Sequence, residues 1–279
     1  MRQDFQYQTK AGHSIDLSLY GADSFGQVPC ILYLHGFKAY KDWAFVPYMA
    51  EHFASQGISC LTFNFSHNGI GADGETFTDF DAFEQNTFSL ELTEALEVIH
   101  LLAHTDFFGR YLSKPIGLLG HSRGGGIALL AGQKSRDIKA VCSWAAVSKF
   151  NRYSKAQKEQ WKRQGYLEVK NSRTGQIFKL GRKLLDDVEK NYRKHLNIQH
   201  AVREMKKPLL LLHGAADETV PYFEGEELNI FSDPSLSQLN LIPDGTHTFG
   251  TKHPFAGSTP AFDLVLDQST AFFQTQLNG

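Results

Sequence analysis

A serine stands between two glycines in the segment Gly120-His121-Ser122-Arg123-Gly124. An apolar run, residues 116–119, precedes this segment, and a helix-like pattern follows it. A strand that turns sharply into a helix strains its central residue, and only glycine fits easily on either side. The turn exposes the serine hydroxyl, and the helix N-terminus supplies unpaired N–H groups that can stabilise an oxyanion. The pattern predicts a serine nucleophile, and the alternative is a glycine-rich turn without catalysis.

A serine hydroxyl is a weak nucleophile at neutral pH. Ser122 therefore needs a histidine that takes its proton and a carboxylate that orients the histidine. Asp217 follows the apolar strand predicted at 209–212, and we predict that it is this carboxylate. Adjacent Glu218 is the alternative acid, one residue further from the strand. Turn capping is the other common role of an aspartate in such a loop.

The base is predicted at His247, in a loop that follows the strand predicted at 238–242. His253, six residues further along, is the competing candidate. Ser122, Asp217 and His247 occur in this chain order, and each follows a predicted strand. A random assortment of these residue types would seldom reproduce both the order and the placement. This agreement is the strongest evidence for a Ser-His-Asp triad.

Buried strands are expected to position these side chains. The predicted strands are short, mostly apolar runs bounded by turn residues, at 30–34, 59–65, 116–119, 140–144, 209–212 and 238–242. A hairpin of 5–9 and 15–20 precedes them. Helical spacing is clearest between Phe88 and Leu102, and a last helix is predicted to begin at Pro260. This alternation predicts an α/β fold, with a mostly parallel central sheet flanked by helices and an active site at the carboxyl ends of the strands.

Residues 147–207 interrupt the alternation, because they contain no convincing buried strand. We predict a core of residues 1–146 and 208–279, with residues 147–207 inserted as a helical cap. The insertion has 17 Lys and Arg against 6 Asp and Glu, whereas the whole chain has a net charge of −2. A solvated helical surface is the favoured explanation of this charge, and a basic lid that attracts anionic substrates is the alternative. Trp161 and Tyr166 either line a pocket there or pack the insertion onto the core.

Composition sets the broad class. The chain has 279 residues, of which 42% are hydrophobic, and its 22 phenylalanines suffice for one substantial core with an insertion. The N-terminus lacks the apolar stretch of a signal peptide, and no run approaches the roughly 18 to 20 apolar residues of a membrane span. We therefore expect a cytoplasmic protein that does not bind membranes. Cys30, Cys60 and Cys142 each fall in a predicted buried strand, which argues against a disulfide framework.

Motifs for cofactors and macromolecular partners are weak. His100 and His104 are four residues apart on a helical pattern, but no Glu or Cys accompanies them in a ligand-like arrangement. The sequence contains no Walker-type phosphate loop and no specific basic-aromatic pattern for nucleic acid. We expect no metal, no cofactor and no nucleic-acid partner, and a small-molecule substrate. The sequence does not predict the oligomeric state.

The chain resembles the α/β-hydrolase superfamily of serine hydrolases over essentially its whole length. Besides the glycine-flanked serine, the segment Leu34-His35-Gly36-Phe37 is similar to the superfamily's His-Gly segment, whose following residue offers a backbone N–H to the oxyanion. The resemblance implies that the N–H groups of Phe37 and Arg123 form the oxyanion hole. It also implies that His35 and Gly36 shape this loop, since glycine permits close approach of the backbone to the substrate.

Within the superfamily, the chain most resembles capped carboxylesterases akin to bacterial cinnamoyl and feruloyl esterases. The His-Gly-Phe segment, the Gly-His-Ser-x-Gly-Gly motif and an insertion between the sixth and seventh strands carry this finer resemblance. Asn68 departs from it, because it interrupts a His-Gly pair after His67. Arg123 also departs, since several esterases have an uncharged residue after the serine. Its guanidinium either pairs with a carboxylate of the fold, which we favour, or holds an anionic substrate.

The resemblance implies hydrolysis of carboxylic esters through an acyl-enzyme intermediate on Ser122. A peptidase or amidase with the same triad is the alternative. A haloalkane dehalogenase would require an aspartate, and a dienelactone hydrolase a cysteine, where this chain has Ser122. A non-catalytic binding protein on the same fold is a third hypothesis, although such proteins usually have a damaged triad.

Overall fold

The computed structural model describes residues 1–171 and 174–278. The strands are β1 (Arg2–Gln8), β2 (Ser14–Tyr20), β3 (Cys30–Leu34), β4 (Ser59–Phe63), β5 (Ile116–His121), β6 (Ile138–Trp144), β7 (Tyr166–Lys170), β8 (Ile177–Gly181), β9 (Leu209–Gly214) and β10 (Ser237–Ile242). The helices are α1 (Val46–Ser55), α2 (Phe80–Gln85), α3 (Phe88–His104), α4 (Arg123–Lys134), α5 (Lys155–Gln164), α6 (Arg182–Asn191), α7 (Ile198–Glu204), α8 (Phe223–Phe231) and α9 (Pro260–Asn278). The predicted α/β-hydrolase fold is confirmed.

Eight strands form the central sheet in the order β1-β2-β4-β3-β5-β6-β9-β10. The strands from β4 to β10 in this order pair in parallel, whereas β1 pairs antiparallel with β2, and β2 pairs antiparallel with β4. The carboxyl ends of β3, β5, β9 and β10 therefore meet at one edge of the sheet. The loops that carry the predicted catalytic residues leave the sheet at this edge.

Burial follows position in the sheet. Every residue of β3, β5 and β9 is buried, as their apolar sequences predict. Strand β10 differs, because only Ile242 of its residues is buried. It forms an outer edge of the sheet and pairs only with β9 among the described strands, so its polar residues remain hydrated. The three cysteines are buried and unbridged, as expected for small core residues.

The insertion after β6 contains α5, α6, α7 and a two-stranded antiparallel hairpin of β7 and β8. The sequence pattern did not predict this hairpin. It forms because β8 alternates exposed and buried residues, so that Phe178 and Leu180 face the protein interior. Phe178 packs against Phe77 and Phe83 of the core. Residues 172–173 of the predicted cap lie outside the described residues.

No helix within the described ranges is long and apolar enough to cross a membrane.

Candidate active site

Ser122 occupies the sharp turn between β5 and α4. Its φ of 57° and ψ of −121° are a strained conformation for a residue with a side chain. A Cβ atom on Gly120 would lie 2.3 Å from the carbonyl oxygen of Gly124, and one on Gly124 would lie 2.3 Å from that of Leu34. Both distances are far below van der Waals contact. The two glycines therefore allow the turn that brings Ser122 to the edge of the sheet.

The three predicted triad residues lie together. Asp217 follows β9 and His247 follows β10, so both loops leave the same edge as Ser122. The distance from His247 Nε2 to Ser122 Oγ is 2.9 Å, and the distance from His247 Nδ1 to Asp217 Oδ2 is 2.8 Å. Both distances are those of hydrogen bonds. This geometry places a base against the serine hydroxyl and a carboxylate against the base.

Asp217 is held as a carboxylate. Its Oδ1 accepts hydrogen bonds of 2.9 Å from the backbone N–H groups of Thr219 and Val220, and its side chain is fully buried. Burial alone would raise the pKa of Asp217. Hydrogen bonds from His213 and His247 outweigh this effect and hold the pKa well below its usual range. Asp217 therefore stays ionised at neutral pH.

The structure brings neither competing candidate into this arrangement. Glu218 is exposed, whereas adjacent Asp217 is buried. His253 accepts a hydrogen bond at Nδ1 from the N–H of Ala44, and its ring stacks on Trp43 at a centroid distance of 5.5 Å. His253 lines a cavity beside Ser122, but it is His247 that bonds to the serine hydroxyl.

His121 supports the loop that carries His247. Its Nε2–H donates a 2.8 Å hydrogen bond to the carbonyl oxygen of His247. Burial, together with the neighbouring His247, lowers the pKa of His121 to about 3. A neutral ring has one N–H, and this bond fixes that proton at Nε2. His121 thus anchors the main chain of the predicted base, a role that the sequence pattern did not indicate.

The loop after β3 lies directly against Ser122. A Cβ atom on Gly36 would lie 3.2 Å from Ser122 Cβ, which is tighter than ordinary contact. His35 Nδ1–H donates a 2.9 Å hydrogen bond to the carbonyl oxygen of Gly36, and His35 Nε2 accepts the N–H of Phe65. Because a trans peptide points its C=O and N–H in opposite directions, this bond turns the N–H of Phe37 away from His35. Burial lowers the pKa of His35 to about 4, which keeps its ring neutral.

The N–H groups of Phe37 and Arg123 donate no hydrogen bond to any acceptor in the part of the chain that the structure describes. Both flank Ser122, one through the close approach of Gly36 and one as the next residue in the chain. Arg123 is also the first residue of α4, where backbone N–H groups lack helical partners. Two main-chain donors are therefore available beside the serine.

The Arg123 side chain is neutralised within the fold. Its Nε and Nη2 donate hydrogen bonds of 2.9 and 2.5 Å to the two carboxylate oxygens of Glu91. The guanidinium also stacks against the rings of Phe37 and Phe88, at 5.2 and 4.6 Å. Glu91 was not among the predicted residues. An acidic residue on the apolar face of α3 was its sequence signal, because a buried carboxylate requires a partner.

Two cavities flank Ser122. We call the first the polar cavity: it has a volume of about 530 Å³, and its polar lining residues beyond the triad include Lys38, His121, Asn171, Thr219, Thr248, Thr251, Lys252 and His253. We call the second the apolar cavity: it has a volume of about 340 Å³, and its apolar lining residues are Phe37, Phe88, Val147, Phe150, Tyr153, Leu180 and Val220. Ser122 and His247 line both. An ester carbonyl at Ser122 would have its two substituents in different surroundings.

The aromatic residues predicted for the insertion do not line these cavities. Trp161 is fully buried and packs edge-to-face against Tyr153, and the ammonium of Lys179 lies 4.3 Å from the ring centre of Tyr166. Tyr153 lines the apolar cavity instead. Trp161 thus packs the insertion and supports a cavity residue from behind.

Residues 1–171 and 174–278 contain no group of three or more His, Cys, Asp or Glu side chains that could hold a metal ion. The rings of His100 and His104 lie 4.8 Å apart, and His104 Nε2 lies 3.1 Å from Asp137 Oδ1. His100 and His104 lie on the exposed surface of α3.

Solved structures share this fold at low sequence identity. A protein from Agrobacterium vitis S4 described as a hydrolase has a TM-score of 0.72 and 22% identity, with 98% of each chain covered. Est1E from Butyrivibrio proteoclasticus with bound ferulic acid has a TM-score of 0.69 and 21% identity, with 97% of this chain and 98% of Est1E covered. The esterase domain of a protein from Rhodothermus marinus has a TM-score of 0.66 and 16% identity, with 99% of this chain and 98% of that domain covered.

No curated protein matches the chain with significance. A family model does match, over residues 43–253, which include all three predicted triad residues. This match spans more than half of the chain, and the fold agrees with it. The protein is a hydrolase of the α/β-hydrolase fold and belongs to the prolyl oligopeptidase family.

Proposed function

We propose that the protein is a serine hydrolase that cleaves carboxylic esters through an acyl-enzyme on Ser122. The observation that carries the proposal is the continuous hydrogen-bond chain from Asp217 through His247 to Ser122, with distances of 2.8 and 2.9 Å. A nucleophile bonded to a base, which a third group orients, is the arrangement that activates a serine hydroxyl. The strained turn at Ser122 adds support, since such strain concentrates at functional sites.

In the first step, Ser122 Oγ forms a bond to the ester carbonyl carbon, and its proton passes to His247 Nε2. Asp217 remains ionised and stabilises the imidazolium. The carbonyl oxygen becomes an oxyanion, and in this proposal it accepts hydrogen bonds from the N–H groups of Phe37 and Arg123. The acyl C–O bond then breaks, and His247 returns the proton to the departing alcohol oxygen.

In the second step, His247 takes a proton from water, and the water oxygen bonds to the acyl carbon. The bond to Ser122 Oγ breaks, and the proton returns to this oxygen. The products are a carboxylic acid and an alcohol. No external oxidant, reductant or metal takes part in this balance.

Peptide or amide hydrolysis is the second candidate, because the family to which the chain belongs is named for an oligopeptidase. A short peptide with a free amino terminus calls for a carboxylate near the reacting serine. The described residues that line the polar and apolar cavities include no Asp or Glu. The similar structures include an esterase domain and a protein with ferulic acid bound. These observations favour esters.

A substrate panel tests the proposal. It contains p-nitrophenyl esters from acetate to long chains, methyl ferulate and an aminoacyl p-nitroanilide, assayed with the wild type, Ser122→Ala and the exposed control Ser55→Ala. We expect ester hydrolysis that is lost in Ser122→Ala and retained in Ser55→Ala, with unchanged circular dichroism in both. Cleavage of the anilide alone would favour the peptidase. A folded wild type that neither hydrolyses the panel nor reacts with a fluorophosphonate would favour a binding protein.

A further inference from the structure

We infer that the polar cavity binds the alcohol component of the substrate and selects one that carries a negatively charged group. The inference rests on the proposed function and adds a substrate class to it. The described lining of this cavity includes two lysines, Lys38 and Lys252, and no Asp or Glu. A partly enclosed site with charge of one sign attracts a ligand of the opposite sign.

His247 lines both cavities, and the loop that continues from it assigns the alcohol component to the polar cavity. His247 must protonate the departing oxygen, so the alcohol component leaves from beside its Nε2 atom. The chain that continues from His247 forms one wall of the polar cavity, through Thr248, Thr251, Lys252 and His253. The residues after Ser122 and those of the insertion mainly line the apolar cavity. The acyl chain therefore belongs in the apolar cavity.

Lys252 stands on a closed loop. Thr248 Oγ1 donates a 2.8 Å hydrogen bond to the carbonyl oxygen of Thr251, and Thr251 Oγ1 donates one of the same length back to that of Thr248. Phe249, between them, is fully buried and donates its N–H to Thr246. The backbone that carries Lys252 is thus fixed before any substrate arrives, which lowers the entropic cost of binding.

Lys38 lines both cavities, and its ammonium donates a 3.1 Å hydrogen bond to the carbonyl oxygen of Lys170. The other cations of the two cavities differ in their partners. In the apolar cavity, Arg123 pairs with Glu91, and Arg152 pairs with Glu224 at 2.9 Å. Lys252 makes no hydrogen bond or ion pair within residues 1–171 and 174–278. Its charge is available to a ligand, whereas the charges of both arginines are compensated inside the protein.

A neighbouring acidic residue, Glu75, limits how far the anion can extend. Glu75 lines an adjoining outer cavity of about 410 Å³ that shares Trp43, Asn171 and His253 with the polar cavity. A long alcohol component would bring its charge toward this carboxylate. The geometry points to a compact alcohol component whose negative charge lies within the polar cavity, near Lys252.

Matched phenyl esters test the inference. 4-Carboxyphenyl butanoate and 4-carbamoylphenyl butanoate share the acyl chain and the ring and differ in charge. We expect the wild type to prefer the carboxylate by about twofold to fivefold in kcat/KM, the range of a charge pair with an exposed lysine such as Lys252. Lys252→Met should bring this ratio close to one. Lys155→Met, at a 92% exposed position on α5, should leave the ratio unchanged. Added salt should lower the wild-type ratio.

Two further comparisons test which side of the ester must carry the negative charge and which anionic group is preferred. Phenyl hydrogen glutarate carries its carboxylate on the acyl side, and we expect no preference for it over the corresponding glutaramate ester. A phenyl butanoate with a phosphate group at the 4-position is compared with 4-carboxyphenyl butanoate. The ester with the higher kcat/KM shows whether the polar cavity prefers a phosphate or a carboxylate. An equal preference for acyl-side carboxylates would contradict the assignment of the alcohol component to the polar cavity.

The inference fails if the wild type hydrolyses the carboxylate and carboxamide esters equally, or if Lys252→Met leaves the ratio intact. Hydrolysis of the carboxamide ester, with its loss in Ser122→Ala, tests the proposed function separately. If neither ester is hydrolysed, calorimetric binding measurements with Ser122→Ala still test whether the polar cavity prefers an anion. Tighter binding of 4-hydroxybenzoate than of 4-hydroxybenzamide, lost in the Lys252→Met double variant, supports the charged cavity, and equal binding overturns it.

Discussion

The catalytic edge of the sheet and the inserted segment 147–207 are built in different ways. At the catalytic edge, side chains are fixed by main-chain partners: Asp217 by two backbone N–H groups, His121 by the carbonyl of His247, and His35 by that of Gly36. The insertion instead meets the core through aromatic packing of Phe178 and side-chain hydrogen bonds at its surface.

Hydrogen bonds to the core anchor the insertion at several points. The carboxylate of Asp187 accepts the N–H of Ser89, at the start of α3, at 2.9 Å. The ammonium of Lys38 donates to the carbonyl oxygen of Lys170 at 3.1 Å, which joins the loop after β3 to the hairpin of β7 and β8. These contacts place insertion residues at both cavities without bringing any of them into the proposed triad.

The two regions have different tasks: one positions the reacting groups, and the other shapes the walls of the pockets. Reacting groups need positions fixed to within fractions of an ångström, and short loops from a buried parallel sheet supply this precision. Pocket walls need shape and polarity, which an insertion can vary without disturbing the sheet. We therefore expect changes at the catalytic edge to reduce turnover or stability strongly, and changes in the insertion to alter substrate preference modestly.

The largest expected effect comes from His247→Ala. Without the base, Ser122 cannot lose its proton, and we expect kcat to fall by about 10⁴- to 10⁶-fold. His253→Ala, in the same loop region, removes a ring that stacks on Trp43 and should cost far less. Steady-state kinetics on the best ester of the panel measure both. Comparable losses in the two variants would refute the choice of His247 over His253.

Asp217→Asn should lower kcat by about 10³- to 10⁴-fold with little change in KM. An amide at this position can present its NH₂ to the ring and favour the wrong tautomer of His247. Glu218→Gln makes the same chemical change one residue away, at an exposed position, and should leave kcat within about twofold of the wild type. Burst kinetics would show whether acylation is the impaired step.

The buried histidines of the catalytic edge should make the fold sensitive to acid. The pKa of His35 is about 4 in the folded protein, against an ordinary value of 6.5. Between these values protons bind the unfolded chain preferentially, so stability is retained above pH 6.5 and falls as the pH drops toward 4. His35 should account for about 2 kcal/mol of this loss between pH 7 and pH 5.

His35→Asn tests this expectation, because its side-chain amide can still donate to the carbonyl of Gly36. Urea denaturation at pH 7 and pH 5 should give a smaller pH-dependent loss of unfolding free energy for the variant than for the wild type. His100→Asn, at an exposed position, serves as the matched control. Parallel pH profiles for wild type and His35→Asn would mean that His35 is not the group responsible.

The smallest effect is expected in the insertion. Leu180→Ala enlarges the apolar cavity, and we expect kcat/KM for hexanoate relative to butanoate esters to rise by about threefold to tenfold. Leu184→Ala removes an equally buried leucine of the insertion that lines neither cavity. It should destabilise the protein without changing this ratio. A loss of kcat in Leu180→Ala as large as that of His247→Ala would end the distinction between the two regions.

The basic charge of the insertion bears on how an anionic substrate would approach the site. Several of its cations pair locally, as Lys162 does with Glu189 and Arg182 with Asp186. A solvated basic surface therefore remains our favoured interpretation, and steering of anionic substrates by this surface stays a prediction. Salt dependence that persists in Lys252→Met would indicate steering, whereas its loss would assign the effect to the polar cavity.

Much of the fold could be predicted from the sequence. Strand β3 has the predicted bounds, and α9 begins at Pro260 as expected. Apolar runs, turn residues and helical spacing are local signals, so they can be recognised without knowledge of the tertiary structure. The sequence pattern does not predict the hairpin of β7 and β8, because its strands are half-exposed and the residues on which its buried face packs, Phe77 and Phe83, lie far away in the chain. Its signal is tertiary.

Local patterns were enough to identify the serine turn and the chain order of Ser122, Asp217 and His247, because glycine positions and strand ends are encoded locally. Which acid and which histidine face the serine depends on the folded structure. The pairing of Arg123 with Glu91 and the place of Lys252 in the lining of the polar cavity also depend on the folded structure. These outcomes depend on contacts between residues far apart in the chain, because burial and charge pairing are properties of packing rather than of local pattern.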